Sequence, residues 1–221
     1  MEQAPAASLT SLTVGQFMER LSSSEPVPGG GSASALAAAL GASLISMVAG
    51  LSAGRPKYAQ YEGTLGRCAE LGRELTARFL ALVDRDSEAY GGYAAAMKLP
   101  RDTGAQKEAR QTAIRSAARA ASEAPLDCVR ACADLVSAAE SLAGRSNVNA
   151  SSDVLVAALL GEAAARGAAE NVLINLASTG DEVYSGEVQA EVDALLHEIA
   201  ALAARTREIV LSGQAREPEA E

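Results

Sequence analysis

The chain has 221 residues, 48% of them hydrophobic and only 3% aromatic, with 49 alanines and a net charge of −9. That length suits one domain with a real core, and so much alanine with so few aromatics excludes a sheet-dominated fold. An acidic chain without basic clusters also lacks the footprint of a nucleic-acid binder or of a protein held on an anionic membrane surface.

Met1 to Ser11 has neither a basic n-region nor an apolar run, so it reads as a flexible N-terminus and not as a signal peptide. Thr13-Val14-Gly15-Gln16 is a capping box and starts a short helix with Val14, Phe17, Met18 and Leu21 on one face. Ser22 to Gly31 is a Ser/Pro/Gly loop, and Ser32 opens a helix to about Ser52. No charged residue lies between Pro26 and Gly54, which is long enough to span a bilayer. Its Ala, Gly and Ser content and its lack of aromatic anchors favour a helix buried in a bundle or at an oligomer seam. Small residues at Ser34, Ala38, Ala42 and Ser46 would let another helix backbone come close.

From Ala59 to Lys98 the apolar residues Leu65, Cys68, Leu75, Phe79, Leu82, Tyr93 and Met97 fall in helical steps. Gly91-Gly92 offers a bend and Leu99-Pro100 a stop. A second capping box, Thr103 to Gln106, begins a helix to Glu123, and Pro125 suits the first turn of another, running through Leu142. After the polar loop Gly144 to Ser151, Ser151 or Ser152 caps a helix to about Ala177. Ser178 to Gly186 is a turn, and a last helix carrying Val188, Val192, Leu195, Ile199, Leu202, Thr206 and Ile209 ends at Gly213. The expected architecture is all-α: one bundle of about seven helices over residues 12–213, with an acidic tail at 214–221.

Five features can carry chemistry. Pro28-Gly29-Gly30-Gly31-Ser32 runs straight into a helix, where exposed N–H groups favour an anion or a polarised carbonyl; the plainer reading is a flexible linker. Asp86 occupies a position in the apolar stripe where leucine is expected, so its carboxyl turns inward, gains a raised pKa and fits acid/base work. A structural ion pair is the alternative. Asp84, about 200° around the helix, should face water.

Asn147 to Asp153 crowds amides, hydroxyls and a carboxylate around a helix start; capping explains part of it, but not Asn147 and Asn149. Asn171 and Asn175 share a face of an otherwise apolar helix and must find partners, in a ligand or across a helix seam. Arg55, Lys57, Lys98, Arg101 and Arg145 sit beside these loops, as anion ligands or as solvated helix ends. Cys68, Cys128 and Cys132 with a single distant His197 make neither a disulfide framework nor a metal site, and suit small buried hydrophobes in a reducing cytoplasm. His197 is a surface or packing residue.

These motifs together resemble the cyclodeaminase/cyclohydrolase family. Pro28 to Ser32 before an uncharged helix with Met47-Val48, Asp84 to Tyr90, Lys98-Leu-Pro100, Asn147 to Asp153 and Asn171 to Asn175 occur in the family's order, over about Leu12 to Leu211. The resemblance implies an all-helical subunit that forms a homodimer, with a folate substrate near the interface and no metal or separate cofactor. The implied chemistry lies at the one-carbon bridge of tetrahydrofolate. Cyclodeaminases release ammonia from the 5-formimidoyl compound and close the 5,10-methenyl ring; cyclohydrolases add water and open it to the 10-formyl form.

On this resemblance Asp86 is the general acid/base, and Gly29, Gly30, Gly31 and Ser32 offer donors to the ligand. Asn149, Asp153, Asn171 and Asn175 hold the pterin edge, and Arg55, Lys57 and Lys98 take the glutamate carboxylates. Pro56 interrupts a segment expected to be more basic. Without a formimidoyltransferase domain the reading tilts to the hydrolase. An enzyme on another amidine-like substrate and a non-catalytic helical assembly protein are the remaining alternatives.

Overall fold

A computed structural model describes residues 8–219. Its helices are α1 (Val14–Leu21), α2 (Gly30–Ser52), α3 (Glu62–Met97), α4 (Gly104–Leu142), α5 (Ser151–Leu176) and α6 (Glu182–Ser212), with 3₁₀ turns at Leu9–Ser11, Pro56–Tyr61 and Val148–Ala150. No strand occurs among the described residues. Both capping boxes form: Thr13 accepts from Gln16 N and Thr103 from Gln106 N, with each glutamine returning the bond. Gly213 closes α6 in the left-handed conformation, φ 65°.

There are six α-helices and not seven, because α4 runs unbroken through Pro125. Proline removes one N–H but does not break a helix whose orphaned carbonyl finds another donor. Here that carbonyl, on Ala121, accepts from the Asn175 amide at 3.0 Å. α3 likewise continues through Gly91 and Gly92. Two helix starts differ from expectation. α2 begins at Gly30, two residues early. α6 begins at Glu182, inside the stretch expected to be a turn, because Asp181 caps Tyr184 N at 3.0 Å. Neither Ser151 nor Ser152 caps α5; a 3₁₀ turn capped by Asn147 feeds it directly.

α2 packs against α3, α4 and α5, and α6 closes over α4 and α5. The small-residue seam works as expected from sequence. Ala38 and Ala42 are fully buried, and α3 comes so close that a Cβ on Gly72 would lie 2.8 Å from the Ala42 carbonyl. Ser46 Oγ donates to Ala69 O across this seam at 2.8 Å. α2 and α5 are antiparallel neighbours: Ser52 accepts from Asn147 N at one end, and Gly30 abuts Asn171 at the other. Both are long and apolar enough to cross a membrane, but each lays part of its surface into the bundle. One face stays open, at Leu40, Met47 and Leu51 of α2 and Val156 and Leu159 of α5.

Both ends of the chain are tied down where described. Asp84, expected in water, accepts from Ser8 Oγ at 2.6 Å, Leu9 N at 2.7 Å and Thr10 Oγ1 at 3.0 Å. Leu9 is thereby seated in the core; residues 1–7 lie outside the described residues. At the other end Arg145, buried, donates to Glu217 O and to Glu219, which also pairs with Arg67. Arg145 therefore fastens the 214–219 segment rather than waiting for an anion. The three cysteines are free and buried, and burial pushes the Cys68 thiol up to about 11. His197 is exposed.

Candidate active site

At the start of α2, α3 and α5 meet around a cavity of about 430 Å³ whose walls include Gly29, Gly30, Gly31, Asp86, Asn171 and Asn175. Asp86 turns inward, as its stripe position requires. Its Oδ2 accepts from Ser32 Oγ at 2.8 Å, and Ser32 itself is fully buried. Ser32 is the third residue of α2, so the carboxyl lies over the unsatisfied N–H groups of the first turn. Burial raises the Asp86 pKa, and the bonds from the Ser32 side chain and backbone oppose that rise without cancelling it. No salt bridge reaches Asp86 among the described residues, so the structural ion-pair alternative fails.

Gly31 makes this seat possible. A Cβ there would run into the Asp86 carboxylate, 2.6 Å from its Cγ. Gly29 is under no such constraint; its Cβ would meet only Pro26 O, at 3.7 Å.

The two asparagines are oriented by their partners. Asn171 Nδ2 donates to Gly167 O at 2.8 Å. Asn175 Nδ2 donates to Asn171 O at 2.9 Å and to Ala121 O at 3.0 Å. A carbonyl only accepts, so the amide nitrogens must face the helices, and each Oδ1 is left to accept from a ligand. The cavity thus offers amide oxygens and a carboxyl on two sides and helix-start N–H groups on the third.

Sequence reasoning omitted Tyr90, Tyr93 and Ser178, which also line the cavity. Tyr93 Oη pairs with Ser178 Oγ at 3.4 Å. The signal was present, since Tyr90 and Tyr93 lie four and seven residues beyond Asp86 on one helical face.

The remaining expected residues are elsewhere. Arg55 and Asn149 are exposed and Asp153 is half-exposed near the opposite end of α2. Lys57 lies there too, on the rim of a second cavity of about 340 Å³ lined by Tyr58, Tyr61, Val148 and Val154. Asn149 N is bonded by Asn147 Oδ1 at 3.1 Å, so Asn147 serves the turn. Lys98 is exposed at the end of α3, about 18 Å along the axis from Asp86. No group of three or more His, Cys, Asp or Glu able to hold a metal occurs among the described residues.

The fold is that of an all-helical enzyme domain, and its candidate site holds one inward carboxyl. The chain belongs to the formiminotransferase-cyclodeaminase family, whose sequence profile matches residues 13–194. It is 37% identical over 200 residues to the methenyltetrahydrofolate cyclohydrolase of Methylorubrum extorquens, with 90% of this chain and 96% of that protein covered. It is 35% identical over 197 residues to the formimidoyltransferase-cyclodeaminase of Sus scrofa, covering 89% of this chain but 36% of that longer protein. The crystal structure of formiminotetrahydrofolate cyclodeaminase from Thermotoga maritima superposes with a TM-score of 0.83 at 26% identity, over 92% of this chain and 98% of the other.

Proposed function

We propose that the protein is a methenyltetrahydrofolate cyclohydrolase, adding water at the 5,10-methenyl bridge of tetrahydrofolate to give the 10-formyl compound. The observation that carries this is the near end-to-end match to a cyclohydrolase, with 96% of that protein covered. The site is suited to it. Asp86 is the general acid/base: as carboxylate it takes a proton from the water attacking the methenyl carbon. As the bond from that carbon to N5 breaks, the electron pair goes to N5, which receives a proton from the same carboxyl. The hydroxyl proton leaves as the formyl carbonyl forms, so one proton is released overall. Burial raises the Asp86 pKa from its ordinary value, the direction that suits a group which must both take and return a proton.

In this reading the N–H groups of Gly30 and Gly31 hold the formyl oxygen. In this reading the Oδ1 atoms of Asn171 and Asn175 accept from N–H groups on the pterin edge. The chemistry needs only substrate, water and proton transfer, so the proposal includes no metal or cofactor. A homodimer covering the open face of α2 and α5, rather than a membrane, is part of it. So are a cytoplasmic location, in keeping with three free thiols, and no role for nucleic acid.

The cyclodeaminase reading is favoured by the Thermotoga maritima structure, of which the match covers 98% of the chain. The deciding experiment follows the near-ultraviolet absorbance of 5,10-methenyltetrahydrofolate in a buffer that does not itself speed hydrolysis. Decay faster than the blank, abolished in Asp86→Asn, is expected. No added decay, with ammonia released from 5-formimidoyltetrahydrofolate, would replace the hydrolase with the deaminase.

A further inference from the structure

α3 and α5 flank the start of α2 and run in the same direction, because α2 is antiparallel to both. Along α3, Ser32 meets Asp86 and Ser46 meets Ala69. Along α5, Gly30 abuts Asn171 and Ser52 accepts from Asn147 N just ahead of the helix. The cavity draws residues from the two sides at matching steps of four and then three. Asp86, Tyr90 and Tyr93 come from α3; Asn171, Asn175 and Ser178 come from α5 and the turn that follows it. Asp86 and Asn171 stand at the floor, against Gly31 and Gly30. Seven residues on, about 10 Å along the axis, Tyr93 Oη and Ser178 Oγ meet at 3.4 Å and close the far end. The cavity is thus a slot of set length, with a carboxyl at its floor and a pair of hydroxyls at its roof.

That roof has one proton to spare. Two hydroxyls carry two O–H donors, and the bond between them uses one. Neither oxygen has another partner among the described residues, and both side chains are half-buried. Neighbouring hydroxyls behave differently. Ser34 donates to Gly30 O at 2.8 Å, Ser122 to Arg119 O at 2.7 Å and Thr179 to Leu176 O at 2.8 Å. Below the roof the slot offers acceptors, the Asp86 carboxylate and the Oδ1 atoms of Asn171 and Asn175. A tetrahydropterin has the complement, N–H groups along its edge with acceptor atoms beside them. We infer that Tyr93 and Ser178 determine how the ring is seated. Their spare O–H donates to an acceptor at the pyrimidine end of the ring, remote from the one-carbon bridge, so that the bridge lies at the Asp86 end. This rests on the Asp86 cavity being the folate site.

Tyr93→Phe, Ser178→Ala and the double variant separate this role from a mere tie between helices. A tie is broken wholly by either single change, and the double change adds nothing. A shared donor survives either one, because the hydroxyl left behind is released to donate alone. The assay uses whichever of the two folates the wild-type protein converts. Each single variant is expected to keep kcat/KM within about fivefold of wild type, and the double variant to lose at least about 50-fold, more than the product of the singles. Thermal midpoints of the three variants should agree within a few degrees. A double variant no worse than the product of the singles overturns the inference, as does a loss of activity that follows the melts.

A second measurement needs no turnover. 6-Methyltetrahydropterin carries the ring without the bridge or the glutamate tail. By calorimetry at up to millimolar ligand it is expected to bind the wild-type protein and both single variants with similar affinity, and the double variant at least about 20-fold more weakly. Equal binding to wild type and double variant overturns the inference, and so does no binding to wild type. Binding in the expected pattern, without turnover of either folate by the wild-type protein, would refute the proposed reaction and leave the seating of the ring intact.

Discussion

Asn175 donates to the carbonyl of Ala121, 54 residues away, at the one place in the interior of α4 where the helix cannot use it itself. Pro125 has no N–H to give to residue 121. The proline thus helps to fix which way the Asn175 amide points, and the oxygen goes to the cavity. Pro125→Ala would supply the missing N–H in competition with Asn175. We expect the variant to fold and keep its thermal midpoint within a few degrees, while KM rises several-fold and kcat changes little. Steady-state kinetics beside a thermal melt check this; a fall in kcat alone would refute it.

Asp86→Asn is expected to lower kcat by about 100-fold or more, the range for a lost general acid/base. Stability should move the other way. The folded protein raises the Asp86 pKa and so favours the neutral carboxyl. That contribution is complete below the unfolded-state pKa and is lost as pH rises through the folded-state value, so near pH 7 the ionised group is a burden. The asparagine variant should be the more stable at pH 7, and the gain should shrink as pH falls toward about 4. Urea titrations across that range test the sign.

Ser32→Ala removes the hydroxyl that bonds Asp86 at 2.8 Å. That bond lowers the Asp86 pKa, so the acid limb of the rate profile should move to higher pH. Stability should fall by about 1 kcal/mol. An unmoved limb would mean that Asp86 does not set it.

Gly31→Ala and Gly29→Ala form a matched pair. The first Cβ collides with the Asp86 carboxylate and the second meets nothing closer than 3.7 Å. We expect activity to fall at least tenfold in the first variant and to stay within about twofold in the second, with both folded. Equal effects would show that the loop's flexibility, not the seating of Asp86, is what matters.

Asp84→Ala should separate stability from catalysis two residues from Asp86. It unties Ser8, Leu9 and Thr10 and should cost about 1–3 kcal/mol, with kcat nearly unchanged. Denaturant melts and turnover measured on the same preparation distinguish the two carboxylates.

Helix periodicity made most of this legible from the chain. Asp86 stood out because it interrupts a stripe of Leu75, Phe79 and Leu82, all buried, and the glycines stood out because three in a row precede a helix. What periodicity cannot carry is partnership between distant segments. Asp84 looked solvent-facing on helix geometry because its partners, Ser8 to Thr10, come from another part of the chain. Pro125 read as a helix start because the donor that rescues Ala121 lies on α5. Arg55, Lys57, Asn149 and Asp153 were grouped with Asp86 by motif order, yet the 23-residue length of α2 sets them apart within one subunit.

The alanine seams limit how such a protein can change. Where Gly72 faces Ala42, Gly41 faces Ala157 and Gly161 faces Val136, an added methyl group would sit 2.7–3.1 Å from its neighbour, and the alanines opposite have little left to lose. Neither growth nor truncation is tolerated along the helix middles. Variation is then channelled to the helix ends, where Gly29, Ser178 and the 55–57 turn lie. Ring opening by water and ring closure with loss of ammonia can in this way diverge at the mouth of the site while the frame behind it stays fixed.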